Sequence, residues 1–204
     1  MLIQIGQSGP RPASDDPVDL LDACHGRIRG FTATAERLAH AKGHDPSEVS
    51  QAASAVHRYY TIALPLHVDD EELSLSPRLR AGSGGDELLQ ALASMEQQHV
   101  AIAALIAELV PAWATLADEP GRLGDLASLL AAPTRRLGEL WGPHLALEEG
   151  LIFPALRRML SEAARAALLA EMRQRREAIA PALRARWADP QATLGCRVDR
   201  APAR

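Results

Sequence analysis

A segment that occurs twice constrains the fold of this 204-residue chain more than any other feature. HVDDEELSLSPRLR, which begins at His67, aligns without gaps on HLALEEGLIFPALR, which begins at His144. In each copy the His is followed by Glu at the fourth and fifth positions, by Pro at the tenth and by Leu at the twelfth. Because an α-helix turns about 100° per residue, the His and the first Glu share one face. The second Glu, Glu72 or Glu149, points away from that face, and we expect it to be solvated.

Two further histidines lie within apolar stripes of helical spacing. His25 shares a face with Leu21 and Ile28, and His99 lies between Met95 and Ile102. An imidazole that faces an apolar core is costly without a polar partner. The two stripes therefore predict that His25 and His99 face the same interior as the two His–Glu pairs.

Caps and helix breakers predict five helices and an all-α fold. Aromatic residues make up only 3 % of the chain, and Ala, Leu, Glu and Arg favour helices. We expect an up-down-up-down four-helix bundle with an extra C-terminal amphipathic helix. The domain boundaries follow: a flexible segment over 1–15, the bundle over 16–160, the extra helix packed on it over 161–187, and a disordered tail over 188–204.

Within the bundle, the predicted helices span about 16–43, 45–73, 86–110 and 123–152. Pro65 is expected to kink the second helix, and Pro111 to stop the third. The Ser-, Pro- and Gly-rich stretch over 74–85 is expected to be a loop.

Charge and composition exclude several classes of protein. From Arg157 onward, eleven arginines face five acids, but they alternate with Ala and Glu, and the only aromatic beside them is Trp187. This pattern is typical of a solvated helix, so we expect no nucleic-acid partner. We expect no apolar stretch to reach the roughly 18 residues that span a membrane, and we expect no secretory signal. Cys24 and Cys196 suggest no disulfide framework. We expect a cytoplasmic protein.

The inward-facing histidines and glutamates have the chemistry of a metal site. Six converging ligands exceed what one ion usually takes from protein, but they suit two ions that share both carboxylates. Imidazole and carboxylate donors suit iron, manganese or zinc. The expected ligands are His25, His67, Glu71, His99, His144 and Glu148.

The order of these residues resembles the hemerythrin-like, or HHE cation-binding, family. The resemblance covers roughly residues 16–160 and includes the LIFPAL sequence around Pro154. It implies two iron ions with an oxo or hydroxo bridge, in which Glu71 and Glu148 bridge and the four histidines are terminal ligands. It also implies an open position for a small ligand such as O2, H2O2 or NO.

One departure from the family leaves the ligand set open. Oxygen-carrying members have another His one turn from the first on the third helix, where this chain has Met95 and Ala103. Water, Tyr60 or, with less support, Glu96 is available to fill the position. Tyr60 is alternatively a buried phenol hydrogen-bonded near the site or a core aromatic. Glu96 and His99 also have the Glu-x-x-His spacing of ferritin-like proteins, but the chain lacks a second copy of that motif.

The expected site permits three functions. The first is a di-iron protein that binds or turns over O2, H2O2 or NO, with peroxidase- or catalase-like chemistry and a reductant that the sequence does not identify. The second is an iron or oxygen sensor or store without turnover, and the third is a structural metal bundle. We expect a monomer or a weak homodimer.

Overall fold

The computed structural model describes residues 15–41, 43–82 and 84–188, with side chains described as far as residue 179. Within these ranges the regular structure is helical throughout, with no β-strand. The α-helices are α1 (Pro17–Ala39), α2 (Pro46–Arg58), α3 (Leu64–Asp69), α4 (Ser76–Ala81), α5 (Asp86–Asp118), α6 (Leu123–Leu147), α7 (Phe153–Met159) and α8 (Glu162–Ala188).

Four rods form the bundle. The first is α1, the second runs from α2 to α4, the third is α5, and the fourth runs from α6 to α7. Helix α1 packs against α2 and α6, and α5 packs against the same two helices, so the rods form a closed ring. Asp16 and Asp45 cap α1 and α2, each followed by Pro at the first helical position. The predicted all-α bundle is confirmed.

In the part of the chain that the structure describes, three π-helical turns join the short helices into continuous rods. They span Tyr59–Ala63, Asp70–Leu75 and Glu148–Ile152. Each is followed, two residues later, by a proline: Pro65, Pro77 or Pro154. Proline lacks the N–H of a regular helical turn, and its ring clashes with the carbonyl four residues earlier, which the wider π turn relieves. The expected loop over 74–85 is therefore wrong for most of its length, because the rod continues to Ala81.

The third rod also extends beyond its predicted end. Pro111 lies inside α5, which continues to Asp118. The ring of Pro111 faces solvent, whereas Leu109, Trp113 and Leu116 on either side of it are almost fully buried. Burial of these large side chains offsets the hydrogen bond that the proline removes. The expected stop at Pro111 is wrong for this reason.

A polar layer separates two apolar clusters inside the bundle. One cluster contains Ile28, Tyr60, Ile102 and Trp141, and the other contains Leu21, Leu75, Met95, Ile152 and Phe153. On every rod, the predicted metal ligands lie between residues of the two clusters along the chain. The fold therefore places the histidines and glutamates at one level, closed above and below by hydrocarbon.

Helix α8 packs on α1 and on the second π turn. Leu168 and Met172 are fully buried in the cluster that contains Leu21 and Leu75. The expected tail over 188–204 lies outside the described residues except for the backbone of Ala188, and the expected flexible segment over 1–15 lies outside them except for Asp15. Cys196 is likewise outside, and Cys24 is a buried free thiol.

Helix α5 is long and apolar enough to span a membrane by length and composition. An 18-residue window within it has a mean hydropathy of 1.9. The expectation that no apolar stretch reaches this length is wrong, because the alanines of the outer face add to the hydropathy of the buried face. In the bundle, α5 packs against α2 and α6 and carries His99 to the centre, and 33 % of the apolar window is buried there.

Candidate metal centre

The structure brings the six predicted ligands together at the centre of the bundle. His25 comes from α1, His99 from α5, and the two His–Glu pairs come from the second and fourth rods. None of the six is more than 5 % exposed. His67 and His144 precede π turns, and Glu71 and Glu148 lie within the first two residues of those turns. Single π turns occur frequently at functional sites, where they change the direction of side chains.

The ligand atoms form two groups of four that share both carboxylates. His25, His67, Glu71 and Glu148 form one group, and His99, His144 and the same two glutamates form the other. Within each group the ligand atoms lie within 4.8 Å of one another. We call these groups the His25 pocket and the His99 pocket.

Each carboxylate directs one oxygen to each pocket. Glu71 approaches His67 Nε2 through Oε1 at 3.2 Å and His99 Nε2 through Oε2 at 3.3 Å. Glu148 approaches His25 Nε2 through Oε2 at 2.9 Å and His144 Nε2 through Oε1 at 3.1 Å. Two adjacent ligands with bonds of about 2.1 Å to one ion, at right angles, lie about 3 Å apart. The observed separations match that spacing.

The same atoms lack hydrogen-bond partners in the described part of the chain. All four Nε2 atoms and all four carboxylate oxygens of Glu71 and Glu148 are buried and unpaired by hydrogen-bond geometry. Eight such atoms at one place are costly unless something satisfies them, since buried polar groups are nearly always paired. Imidazole nitrogen and carboxylate oxygen at this spacing fit a divalent or trivalent metal ion in each pocket.

Three of the histidines are oriented by hydrogen bonds from the other ring nitrogen. His25 Nδ1 donates to Glu149 Oε1 at 2.8 Å, and His99 Nδ1 donates to Glu72 Oε1 at 2.8 Å. His144 Nδ1 donates to Gln98 Oε1 at 3.0 Å. A neutral imidazole that donates through Nδ1 has a free lone pair on Nε2, which is the form that binds a metal.

The expectation that the second Glu of each pair is solvated holds only in part. Glu72 and Glu149 are 39 % and 36 % exposed, but each crosses to a neighbouring rod and binds the histidine there. The rotation of about 100° that turns them from the ligand face points them at the adjacent helix. The doubled Glu in both copies of the repeat was the available signal for this role. The helical wheel of one rod, however, does not show which side chains of the adjacent rod lie opposite.

Burial controls the protonation of the cluster. It lowers the pKa of His67 to about 3 and also lowers that of His99, so both imidazoles are neutral near pH 7. Burial and the adjacent Glu148 raise the pKa of Glu71 well above its ordinary value. Burial acts in the same direction on Glu148, but the imidazoles of His144 and His25 outweigh it and lower the pKa of that carboxyl group. Without a cation between them, the two carboxylates disfavour simultaneous ionisation.

The two additional ligand candidates have other partners. The hydroxyl of Tyr60 is hydrogen-bonded to Thr32 Oγ1 at 2.7 Å, and burial raises the pKa of this phenol. The Tyr60 ring stacks on Trp113. Glu96 accepts two hydrogen bonds from Arg80 on the protein surface, so the structure does not bring it to the cluster.

Comparison with known families supports the cation-binding chemistry. The family model described as "Hemerythrin HHE cation binding domain" matches residues 16–139. This range contains His25, His67, Glu71 and His99 but ends before His144 and Glu148, which reach the cluster through the second copy of the repeat. No curated protein matches the chain.

Proposed function

The chain belongs to the hemerythrin HHE cation-binding family, and from that premise we propose that its buried cluster holds two iron ions. His25 and His67 bind one ion and His99 and His144 bind the other. Glu71 and Glu148 bridge the two, with an oxo or hydroxo group as the third bridge. In this proposal Tyr60 is a protonated phenol beside the site and not a ligand.

One observation carries the proposal. Two pockets share the same two carboxylates, and each carboxylate offers one oxygen to each pocket. A single ion would leave one pair of histidines and two carboxylate oxygens buried without a partner. Two ions satisfy all eight unpaired atoms and more than compensate the negative charge of the two buried carboxylates.

We propose that the centre binds or reacts with a small ligand, O2, H2O2 or NO, with peroxidase- or catalase-like turnover. Two bound iron ions supply Lewis acidity and up to two electrons. The residues of the chain supply orientation and exclusion of water. Glu72, Glu149 and Gln98 hold three imidazoles in place, and the two apolar clusters close the centre above and below. We further propose that the protein is cytoplasmic, a monomer or weak homodimer, and without a nucleic-acid or membrane partner.

Metal content and the absorption spectrum of freshly purified protein test this proposal. We expect about two iron ions per chain and near-ultraviolet charge-transfer bands, and we expect oxidation of the reduced protein by H2O2. Glu71→Gln should weaken both ions because both pockets lose an oxygen, whereas His99→Ala should weaken chiefly one. Glu96→Gln is the matched control and should retain both. One ion per chain, or tightly bound zinc without a redox response, contradicts the proposal.

A specific contact also favours the alternative, an iron or oxygen sensor without turnover. Asp70 directly precedes Glu71, and its buried carboxylate binds Arg175 at 2.6 Å and Arg176 at 2.7 Å, both on α8. Metal occupancy at Glu71 is thereby connected to α8 through one peptide unit and two ion pairs. Hydrogen exchange in α8 should slow on metal binding if the protein is a sensor, and turnover of peroxide should be absent.

A further inference from the structure

The two pockets hold equivalent protein ligands, but their surroundings differ. His25 is fully buried and stacks on Phe153 with ring centroids 5.0 Å apart. Beside His67, the second π turn is covered by α8, whose arginines bind Asp70. The His25 pocket is therefore enclosed by an aromatic ring on one side and by an additional helix on another.

The His99 pocket lies beside a groove between α3 and α5. The groove has a volume of about 410 Å³, and its lining includes both His99 and Glu72, the hydrogen-bond partner of His99. His25 and His67 are not among the residues that line it. The side chain of His99 retains 4 % exposure, whereas those of His25 and His144 have none. The groove thus reaches the His99 ring, whose Nδ1 binds Glu72, whereas His99 Nε2 is buried and the other three ligand histidines do not line the groove.

The walls of the groove are mainly hydrocarbon. Leu64, Pro65 and Val68 form one side, and Ala103 and Ala107 form part of the other. The alanines leave space where larger side chains of α5 would fill the cleft. A volume of 410 Å³ lies within the range of about 300–1,000 Å³ that is typical of organic-ligand sites. It exceeds the roughly 30 Å³ that one water molecule occupies in the liquid by more than tenfold.

We propose that this groove binds the apolar part of an organic hydroperoxide and places its peroxide group beside His99, at the edge of the pocket in which His99 and His144 would hold a metal ion. The inference rests on the proposed function and names its substrate class. A diatomic ligand or H2O2 needs no apolar groove of this size, whereas an alkyl or aryl group gains free energy from burial against these side chains. Two bound ferrous ions would supply the two electrons that cleave the O–O bond, and with two protons from solvent the hydroperoxide would become an alcohol and water. Repeated turnover would require an external reductant to return the ions to the ferrous state.

Two alanines of α5 provide a matched pair of variants. Ala103 and Ala104 are both exposed on the same helix, but only Ala103 lines the groove. Ala103→Phe should fill the groove without entering the core, and Ala104→Phe adds the same ring outside it. The probes are cumene hydroperoxide, H2O2 and the unreactive product, cumyl alcohol.

We expect Ala103→Phe to slow oxidation of the reduced protein by cumene hydroperoxide at least tenfold and to leave the rate with H2O2 within about twofold. Equilibrium dialysis of the iron-loaded protein should show at least tenfold weaker binding of cumyl alcohol to this variant. Ala104→Phe should match the unmodified protein in all three measurements, and metal content should be equal throughout.

The outcomes distinguish failure of the groove as a binding site from failure of the proposed reaction of the metal centre with peroxide. Equal cumyl alcohol binding by both variants and the unmodified protein, or no binding at all, overturns the groove assignment even if H2O2 oxidises the centre. Equal slowing of both peroxides by Ala103→Phe overturns the substrate class, because the groove then serves any ligand. If neither peroxide oxidises the centre but Ala103→Phe abolishes cumyl alcohol binding, the proposed function fails while the groove is retained as a binding site.

Discussion

Glu72→Ala should weaken the metal in the His99 pocket while leaving the His25 pocket nearly unchanged. Glu72 accepts a hydrogen bond of 2.8 Å from His99 Nδ1, and its carboxylate is 39 % exposed. Removing such a partner of a metal-bound histidine typically costs about 10- to 100-fold in affinity, or about 1.4–2.7 kcal/mol. Because water can reach Nδ1 at this exposed position, we expect a loss near the lower limit, about tenfold.

The chain contains an internal reference for the size of this effect. His144 is held by Gln98, a neutral acceptor, at 3.0 Å. Glu72→Gln should therefore convert the environment of His99 into one like that of His144 and cost only about two- to threefold, since charged acceptors bind roughly twice as strongly as neutral ones. Glu149→Ala should produce the reciprocal result, a weaker ion in the His25 pocket.

Competition against a chelator of known affinity measures both sites in one titration. Two resolved steps are expected in the unmodified protein, of which Glu72→Ala shifts one and Glu149→Ala shifts the other. Glu96→Ala, on the same helix as His99 but bound to Arg80, is the control and should shift neither. A Glu72→Ala variant that weakens both steps equally, or neither, refutes the assignment of Glu72 to one pocket.

Three further results are expected. Metal affinity should fall as pH falls through the raised pKa of Glu71, because burial and the adjacent Glu148 raise this pKa and metal binding requires the ionised carboxylate. A chelator competition in which the affinity does not fall with pH contradicts this. Asp70→Leu introduces the residue found at the matching position 147 of the repeat. It should lower the free energy of unfolding by about 3 kcal/mol in denaturant titrations, because it leaves two partly buried arginines without their carboxylate. An unchanged midpoint would show that α8 is held by its apolar contacts alone. Tyr60→Phe should retain the metal content and absorption spectrum and cost about 1 kcal/mol of stability through the lost hydrogen bond to Thr32, whereas loss of a visible band would identify Tyr60 as a ligand.

The helical structure at Pro111 and Pro77 and the contacts of Glu72 and Glu149 have one physical origin. Pro111 and Pro77 have poor local helix propensity, yet burial of Trp113, Leu116 and Leu79 holds the chain helical through both regions. The sequence correctly predicts that Glu72 and Glu149 lie off the ligand face of their own helix. Local periodicity, however, contains no information about the histidine on the next rod. In the first case, packing between rods outweighs local helix propensity. In the second, it adds partners that the sequence of one helix does not predict.

The amino-acid sequence by itself determined the helical class, the family and the six residues that meet at the centre, because the His–Glu spacing and the apolar stripes are properties of single helices. Only the tertiary structure decided how those residues divide into two pockets, which side chains orient the imidazoles, and which pocket borders the groove. These features depend on distances between rods. Such distances are set by the packing of the apolar clusters and by the π turns, and neither is encoded in the periodicity of any one segment.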